Sequence, residues 1–428
     1  MGRVIRPVRR IRGEIRVPGD KSISHRALML ASIAHGESSI DGLAPSSDVT
    51  STARCLRELG ASMDAQSETA CRIEGRSRSG LQAPQRELDA GNSGTTLRLL
   101  SGLLAGQPFQ ATITGDASLR RRPMGRIIDP LNRMGVRVHS NDGCAPLVVH
   151  GGEPQGMRYE LPVASAQVKS CLLLAGLYAD DATTVVEPEP TRDHTERMLR
   201  AMGADIGHED DAVTLRGCRE LDPLELSVPG DLSSAAFFLA AASVVPDGEL
   251  TLRHIGVNPT RTGILDVLRS MGAPIEVLNE REQGHEPIAD LQVDSASALR
   301  GTEIDGSLVP RLIDEIPLLA VLATQAAGCT VIRDAAELRH KETDRIHAVA
   351  ENLRHMGADL DERHDGLVIE GPQRLRGAHV ASFRDHRIAM AFAIASLVAD
   401  GPTTIDGADW TDVSFPSFFD TLQQVAQT

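Results

Sequence analysis

The tetrapeptide Val-Pro-Gly-Asp occurs twice in this chain, at residues 17–20 and at residues 228–231. Serines and then a long apolar run follow each copy, which is typical of the start of a buried helix. A repeated helix start of this kind predicts that the chain contains two similar halves. Only the first copy is followed by cations, Lys21 and Arg26, so we expect that half to face a negatively charged ligand.

A second repeat, Leu-x-x-(Leu/Met)-Gly, ends at Gly60, Gly135, Gly203, Gly272 and Gly357. Each occurrence is typical of a helix that stops at a glycine in the left-handed conformation. The alternating run that follows each glycine predicts a two-stranded hairpin. An apolar run rich in Ala and Leu precedes each unit, and six such runs predict six buried helices.

The six units and the two tetrapeptides divide into three plus three. Each unit is predicted to contain a strand, a buried helix, a second strand, a surface helix and a hairpin. The sequence therefore predicts an α/β protein with two similar domains, residues 19–229 and residues 1–18 plus 230–428, with crossovers near Gly19 and Gly230. The alternative is that the tetrapeptide is a generic turn that recurs by chance.

The overall charge and the cysteines restrict the partners and the compartment. A net charge of −15 and 3% aromatic residues argue against a nucleic acid or an anionic membrane surface as partner. No apolar stretch has the length of a membrane span. The six scattered cysteines form no CxxC pair and are predicted to be free thiols in a reducing compartment, so we expect a cytoplasmic protein. They are Cys55, Cys71, Cys144, Cys171, Cys218 and Cys329.

The arginine-rich residues 1–17 allow two interpretations. An organelle transit peptide has this composition. The partial alternation of Val and Ile instead favours strands, and the segment runs directly into the first repeat. We therefore expect residues 1–17 to complete the last unit of the C-terminal half.

Polar residues at the starts of the buried helices carry the unusual chemistry. Lys21, Ser22 and Arg26 precede the first helix, where a cation opposes the helix dipole unless an anion lies beside it. Gly94 opens the second within GNSGTT, whose small donors are also typical of an ordinary helix cap. Arg122 ends a run of three arginines, which are suited to phosphate or carboxylate, although a solvated loop is the alternative.

Later segments repeat this pattern with weaker signals. Ser165 and Gln167 are neutral donors, and Arg192 follows as a cation. Asp314 precedes an apolar run; it is either an ordinary helix cap or a general base inside a cationic site. Lys341, Arg345 and Arg387 stand at further helix starts, and Lys341 and Arg345 are predicted to share one helix face. The histidines show none of the spacings that are typical of a metal site.

Six motifs in this order, GDKSISHR, GNSGTTLRLL, RRPMGR, ASAQVKS, KETDR and RDHRIAM, resemble the 5-enolpyruvylshikimate-3-phosphate (EPSP) synthase family. The resemblance spans essentially the whole chain. It implies two similar domains, each with three βαβαββ units whose helices are buried and whose sheets lie outside, an inside-out α/β barrel. It also implies an active site in the cleft between the domains and closure of the two halves as part of the mechanism.

The family reaction transfers the enolpyruvyl group of phosphoenolpyruvate to the 5-hydroxyl of shikimate 3-phosphate and releases phosphate, in the shikimate pathway to chorismate and the aromatic amino acids. The resemblance implies three groups of residues. The shikimate 3-phosphate ligands would be Lys21, Ser22, Arg26, Ser165, Ala166, Gln167, Arg192, Asp314 and Lys341. The phosphoenolpyruvate ligands would be Lys21, Gly94, Arg122, Gln167, Arg345 and Arg387, with Asn92 nearby. The catalytic residues would be Asp314 as base, Glu342 as a proton-transfer group and Lys21.

The sequence departs from the family pattern at two places. Val413 stands where many members have a lysine, and the second motif reads NSGTT where NAGTA is common.

Two other functions are alternatives to this one. The first is that of the sister enzyme UDP-N-acetylglucosamine enolpyruvyl transferase, although the loop before Arg122 lacks the cysteine typical of it. The other rival is a non-catalytic anion-binding scaffold. The resemblance implies a monomer that acts on small molecules with no cofactor and no metal.

Overall fold

The computed structural model describes residues 2–217 and 220–427, and within them the chain divides into two compact units. The N-terminal unit contains Gly19–Val228 together with Glu282–Glu286. The C-terminal unit contains residues 2–18, 229–281 and 287–427. The tip of one hairpin, Glu282–Glu286, therefore belongs to the first unit although its two strands belong to the second. Cys218 lies outside the described residues, and the other five cysteines are free thiols.

Along most of the chain, apolar helices alternate with helices that have a polar face. They are α1 (Lys21–Ser32), α2 (Ser47–Glu58), α3 (Gly94–Leu104), α4 (Gly125–Arg133), α5 (Ala166–Gly176), α6 (His194–Ala201), α7 (Leu232–Val244), α8 (Gly263–Ser270), α9 (Val309–Leu312), α10 (Ile316–Ala323), α11 (Arg345–His355), α12 (His386–Leu397) and α13 (Phe418–Val425). Short 3-10 helices lie at Leu119–Arg121, Gly306–Leu308, Ile313–Glu315, Ala336–His340 and Ala408–Val413.

The strands are mostly short, and they lie between the helices. They are β1 (Arg3–Ile5), β2 (Arg10–Ile15), β3 (His35–Asp41), β4 (Ser62–Ala65), β5 (Cys71–Arg76), β6 (Leu88–Asp89), β7 (Gln110–Thr114), β8 (Arg137–Asn141), β9 (Cys144–His150), β10 (Arg158–Glu160), β11 (Thr183–Val186), β12 (Ile206–Glu209), β13 (Ala212–Leu215), β14 (Glu225–Ser227), β15 (Asp247–Gly256), β16 (Ile275–Gln283), β17 (Glu286–Asp294), β18 (Leu299–Arg300), β19 (Glu303–Ile304), β20 (Ala326–Ile332), β21 (Asp361–Arg363), β22 (Gly366–Gly371), β23 (His379–Ala381), β24 (Thr403–Asp406) and β25 (Ala426–Gln427).

The N-terminal unit repeats one sheet topology. Its described strands form the four-stranded sheets β14-β3-β5-β4, β6-β7-β9-β8 and β10-β11-β13-β12. In each sheet the first pair is parallel and the other two pairs are antiparallel. The antiparallel pairs include the hairpins that the alternating runs predict after the repeated glycines.

The C-terminal unit follows the same plan and recruits the N-terminal residues. Its described sheets are β16-β17-β15-β2-β25, β18-β20-β22-β21 and β1-β24-β23. Strand β1 pairs antiparallel with β24 of the last unit. Strand β2 pairs in parallel with β15, which follows the second Val-Pro-Gly-Asp. The arginine-rich segment therefore forms strands in two sheets of this unit.

Each unit has its own core, built largely from the predicted buried helices. In the N-terminal unit these are α1, α3 and α5, and in the C-terminal unit α7, α10 and α12. Helix α7 is buried from Leu232 to Ser243, and α12 is buried over its whole length. The sequence prediction of six buried helices is confirmed. No helix among the described residues is both long enough and apolar enough to cross a membrane.

The glycines of the Leu-x-x-(Leu/Met)-Gly repeat end helices as predicted. All have φ angles between 82° and 94°, the left-handed region that a side chain would strain. They are Gly60, Gly135, Gly203, Gly272 and Gly357. A glycine in this conformation ends each helix and lets the chain continue into the hairpin that follows.

Candidate active site

The residues singled out in the sequence fall into two groups, one in each unit. The N-terminal cluster comprises Lys21, Ser22, Arg26, Asn92, Gly94, Arg122, Ser165, Ala166, Gln167 and Arg192. The C-terminal cluster comprises Asp314, Lys341, Glu342, Arg345 and Arg387.

Most of the N-terminal cluster lies at the starts of the three buried helices of its unit, whereas Arg122 follows the 3-10 helix Leu119–Arg121 and Arg192 precedes α6. Asp20 caps α1 by accepting a hydrogen bond from the Ile23 backbone N–H at 2.9 Å. Ser93 caps α3 through the N–H of Thr96 at 3.1 Å, and Ser165 caps α5 at 3.4 Å. These caps leave other N-terminal amides of the helices available for an anion.

Arg26 joins three helices from a position that is 3% exposed. Its Nε donates to Thr195 Oγ1 on α6 at 2.7 Å, and its Nη2 donates to Ser170 Oγ on α5 at 2.7 Å. Its Nη1 donates to the backbone oxygen of Ser22 at 2.9 Å. Hydroxyl and backbone oxygens on α1, α5 and α6 therefore help to fix the position of the guanidinium, a group that is suited to binding phosphate or carboxylate.

Lys21 has a carboxylate partner that sequence reasoning missed. Its Nζ lies 2.8 Å from Oδ2 of Asp48, in the first turn of α2, and both side chains are mostly buried. An acidic residue in the first turn of a helix is ordinary. Nothing in the sequence around Asp48 therefore distinguishes it from an acidic residue that only interacts with the helix dipole. The pairing with Lys21 arises because α1 packs against α2.

The start of α3 faces two guanidinium groups. A methyl group added at Gly94 would lie 2.8 Å from Nη1 of Arg98 and 3.3 Å from Nη1 of Arg122. Arg98 in turn donates to Gln167 Oε1 at 2.7 Å, and Gln167 Nε2 donates to Thr95 Oγ1 at 3.0 Å. The bare backbone at Gly94 thus lies close to two cations. Arg98 is part of this arrangement through its hydrogen bond to Gln167.

Arg122 is oriented by a short polar chain. Its Nη2 donates to Asn92 Oδ1 at 2.8 Å, and Asn92 Nδ2 donates to Asp116 Oδ2 at 2.6 Å. Arg122 is 7% exposed. The Asn92 amide therefore helps to hold the guanidinium of Arg122 in place.

Arg192 follows a segment that is anchored by a buried charged group. Lys169 Nζ lies 2.7 Å from carboxylate oxygens of both Glu187 and Glu196, and it donates to the Thr191 backbone oxygen at 3.3 Å. Burial alone would lower the pKa of Lys169, but the two carboxylates raise it above its ordinary value. The ammonium therefore stays charged and fixes the backbone directly before Arg192.

A chain of buried hydroxyl groups links the same helix starts. His25 Nδ1 lies 2.6 Å from Thr52 Oγ1, which lies 2.7 Å from Thr96 Oγ1. Thr96 Oγ1 donates to Ser93 Oγ at 2.8 Å. Burial, and then Lys21 and Arg26, lower the pKa of His25 well below its ordinary value. A neutral imidazole therefore connects α1 to the start of α3 through α2.

The C-terminal cluster is centred on the carboxylate of Asp314, whose side chain is 14% exposed. Oδ1 lies 3.2 Å from Nη1 of Arg345 and 3.7 Å from Nζ of Lys341, and Oδ2 lies 3.7 Å from Nη2 of Arg387. Asp314 belongs to a 3-10 turn and does not cap α10. Of the two interpretations of Asp314, the ordinary helix cap is therefore wrong.

Arg345 is almost fully buried among carboxylates. Its Nε donates to Asp385 Oδ2 at 2.7 Å, and its Nη2 donates to Glu342 Oε2 at 2.7 Å. Burial alone would lower its pKa, but Asp385, Glu342 and Asp314 together raise it. Asp385, which sequence reasoning missed, is fully buried and also caps α12 through the N–H of Arg387 at 2.8 Å. One aspartate thus binds the guanidinium of Arg345 and caps the helix that contains Arg387.

Lys341 lies outside the helix to which the sequence assigned it. Helix α11 begins at Arg345 with Asp344 as its cap, and Lys341 follows the 3-10 helix Ala336–His340. The prediction that Lys341 and Arg345 share a helix face is therefore wrong, because the capping Asp344 starts the helix three residues later. Burial lowers the pKa of Lys341, against the opposing effect of Asp314.

The chemistry of the two clusters is that of anion binding with acid–base groups. The N-terminal cluster supplies cations, helix amides and neutral donors. The C-terminal cluster supplies a carboxylate flanked by three cations. Among the described residues, no three His, Cys, Asp or Glu side chains form a group that could hold a metal ion. Val413 lies at the end of the 3-10 helix Ala408–Val413.

Comparison with known proteins gives one consistent family. The family model for EPSP synthase (3-phosphoshikimate 1-carboxyvinyltransferase) matches residues 5–422. The chain is 55% identical to the 3-phosphoshikimate 1-carboxyvinyltransferase of Desulforudis audaxviator, over 98% of each chain. It is 53% identical to that of Geobacter sulfurreducens over the same shares.

Solved structures agree with these relatives. EPSP synthase from Acinetobacter baumannii superimposes with a TM-score of 0.89 at 42% identity, covering 100% of this chain and 98% of that one. The enolpyruvyl transferase NikO from Streptomyces tendae is 20% identical with a TM-score of 0.80, covering 99% of this chain and 96% of that one. The NikO likeness concerns the fold alone.

The buried Lys169 generates a prediction about the stability of the N-terminal unit. Lys169→Met leaves Glu187 and Glu196 buried without a cation, so we expect a loss of about 3–5 kcal/mol in the free energy of unfolding. Burial already raises the pKa of Glu187. Without Lys169 that pKa rises further, so the deficit should shrink at acidic pH, where the carboxyls are neutral. Urea unfolding at pH 5 and pH 8 measures both effects.

Arg374→Met is the matched control for Lys169→Met. Arg374 pairs with Asp400 at 2.6 Å, but both side chains are exposed. An exposed ion pair contributes less than about 1 kcal/mol. Equal losses in the two variants would contradict the assignment of Lys169 as the anchor of this segment.

Proposed function

This chain belongs to the EPSP synthase family, and we propose that its two clusters are the substrate-binding and catalytic residues of one enolpyruvyl transfer. The enzyme transfers the enolpyruvyl group of phosphoenolpyruvate to the 5-hydroxyl of shikimate 3-phosphate and releases phosphate, a step in aromatic amino acid biosynthesis. The observation that carries the residue assignment is the position of Asp314. Its carboxylate lies among Lys341, Arg345 and Arg387, as a base within a site for anionic substrates should.

The reaction needs one base and one acid but no redox step. The 5-hydroxyl oxygen bonds to C2 of phosphoenolpyruvate and loses its proton, while a proton adds to the methylene carbon C3. The resulting tetrahedral intermediate then loses phosphate from C2 and a proton from C3, which restores the double bond. Protein groups can supply both proton transfers, so we propose that no cofactor or metal takes part.

In the N-terminal cluster, we assign the phosphate and ring of shikimate 3-phosphate to Ser22, Arg26 and Arg192 together with Ser165, Ala166 and Gln167. The contacts that fix Arg26 to α5 and α6 support this, since they hold a guanidinium group suited to phosphate next to these residues. Lys21 would lie between the two substrates. Gly94 and Arg122 would bind phosphoenolpyruvate, which the closeness of two guanidinium groups to the bare backbone at Gly94 supports.

In the C-terminal cluster, we assign Asp314 as the base for the 5-hydroxyl and Glu342 as the group that exchanges a proton at the methylene carbon. Glu342 accepts a hydrogen bond from Arg345, which orients it. Lys341 would hold the shikimate hydroxyls, and Arg345 and Arg387 would bind phosphoenolpyruvate. Fixed guanidinium groups stabilise the charge of the intermediate without reorganising during the reaction.

We further propose that the enzyme is a cytoplasmic monomer that acts on these two small molecules. One chain supplies both clusters, so a second copy is not needed for a complete set of residues. Light scattering after size-exclusion chromatography measures the mass, and a dimer mass that dissociates without loss of turnover would leave the residue assignment intact.

An assay with both acceptors separates the reaction from that of the sister enzyme. We expect phosphate release from phosphoenolpyruvate with shikimate 3-phosphate and none with UDP-N-acetylglucosamine. Turnover with the UDP-sugar alone would overturn the assignment. The relatives and the family model favour shikimate 3-phosphate, because all carry the name 3-phosphoshikimate 1-carboxyvinyltransferase.

The role of Asp314 is tested by Asp314→Asn, which keeps the side-chain shape and removes the base. We expect kcat to fall by about 10²–10⁴-fold, the usual contribution of a general base, while shikimate 3-phosphate still binds in calorimetry. Asp400→Asn changes an exposed aspartate of the same unit and should retain full turnover. A non-catalytic scaffold would bind its anions equally in both variants and show no turnover in any form of the protein.

The lowered pKa of Lys341 predicts an alkaline limit to activity. Lys341 loses its proton at a lower pH than the ordinary lysine value of 10.5, and only the charged form attracts the substrate. kcat/KM for shikimate 3-phosphate, which reports the free enzyme, should therefore fall as pH rises through that lowered pKa. An arginine at this position keeps its charge to about pH 12. In Lys341→Arg, the alkaline fall in kcat/KM should therefore move to higher pH. If the alkaline fall in kcat/KM stays at the same pH in this variant, the titration of another group causes it.

A further inference from the structure

A chain of buried polar groups lies behind the C-terminal cluster, and it begins at the second Val-Pro-Gly-Asp. Asp231 caps α7 by accepting from the Ser233 N–H at 3.0 Å. Arg261 Nη2 donates to Asp231 Oδ1 at 3.1 Å and to Ser233 Oγ at 2.7 Å. The hydroxyl of Ser233 donates to Oε1 of Glu315. The last contact places a polar group of α7 directly next to the residue that follows Asp314.

The same oxygen of Glu315 faces Arg387. Nη1 of Arg387 lies 3.5 Å from Glu315 Oε1 and 3.2 Å from the backbone oxygen of Asp314. Nη2 of Arg387 lies 3.7 Å from the Asp314 carboxylate. Glu315 and Asp314 therefore both contact the guanidinium of Arg387.

Glu315 is 2% exposed, and its Oε2 has no hydrogen-bond partner among the described residues. A buried carboxyl group is costly unless it is paired. Oε1 alone carries the contacts to Ser233 and Arg387, so the position of the carboxyl group depends on these two side chains. A group held by so few contacts transmits a change at Ser233 to Arg387.

We propose that Glu315 is a positioning residue that sets the guanidinium of Arg387 for phosphoenolpyruvate, and that Ser233 orients Glu315 for this task. The inference depends on the proposed role of Arg387 in binding phosphoenolpyruvate. It adds a link from the start of α7, which carries no cation of its own in its first turn, to the anion site. Neither Glu315 nor Ser233 touches the substrate in this arrangement.

The sign of one effect distinguishes positioning from simple electrostatics. A carboxylate near an anion site repels the anion, so removal of its charge should strengthen binding if charge were its only influence. Glu315→Gln keeps the length and one acceptor oxygen but removes the charge. Positioning predicts a weaker contact to Arg387 and hence a KM for phosphoenolpyruvate that rises by about tenfold. The KM for shikimate 3-phosphate should stay within about twofold.

Ser233→Ala tests the second link without changing any charge. We expect the KM for phosphoenolpyruvate to rise by about fivefold or more, since Glu315 loses the donor that orients it. Ser243→Ala is the matched control, because Ser243 is buried in the same helix and donates only to the backbone oxygen of Leu239 at 2.8 Å. That variant should keep both KM values.

The outcomes separate this inference from the proposed function. Loss of transfer in the unsubstituted enzyme would overturn the function itself. Normal transfer combined with a lower or unchanged KM for phosphoenolpyruvate in Glu315→Gln would overturn the inference alone. A purely structural role would reduce the folded fraction, and with it kcat, without a selective effect on one KM. If Ser233→Ala does not fold, Glu315→Gln combined with Arg387→Lys decides the question, because additive effects of the two changes would contradict the link.

Discussion

The need to hold cations at the starts of buried helices governs the design of both units. A positive charge at a helix N-terminus is opposed by the helix dipole and by the loss of hydration. Arg345 is the first residue of α11 and Arg387 is the second residue of α12, and both side chains are buried. Carboxylates offset this unfavourable free energy. The most important is Asp385, which accepts a hydrogen bond from the side chain of Arg345 and caps the helix that contains Arg387. The anion-binding potential of the C-terminal unit therefore depends in part on Asp385, an acid to which no substrate contact is assigned.

The two Val-Pro-Gly-Asp copies show how one local design serves two electrostatic settings. In both copies the aspartate caps the following helix, Asp20 for α1 and Asp231 for α7. After the first copy the cation is local, since Lys21 follows directly and pairs with Asp48. After the second copy a cation comes from further along the chain, because Arg261 reaches back to Asp231. The sequence indicated that only the first copy is associated with cations. This holds for residues that are close in sequence, but in the structure the second copy also has a cation partner, Arg261.

The features that could be predicted from the sequence depend on local periodicity. Each helix stop and each buried helix is specified by residues within a single element. The structure confirms the helix ends at Gly203 and Gly272 and the buried helices α7 and α12. Pairings between elements could not be predicted. Asp48 and Asp385 look like ordinary helix-start acids in the sequence, and only the packing gives them arginine and lysine partners. Lys341 was misplaced for a related reason, because the capping by Asp344 outweighs the spacing that suggested a longer helix.

Lysine use gives a signal that could have identified the charged sites. The chain has only three lysines, Lys21, Lys169 and Lys341, and each one pairs with at least one carboxylate. Arginine supplies the surface cations instead. An ammonium group is compact and responds to burial with a pKa shift, which a guanidinium hardly does near neutral pH. The number of partners sets the direction: two carboxylates raise the pKa of Lys169, whereas Asp314, shared with two arginines, does not prevent burial from lowering that of Lys341. The lysine that anchors the N-terminal unit is thus kept charged, and the lysine at the candidate site is the one whose pKa is lowered.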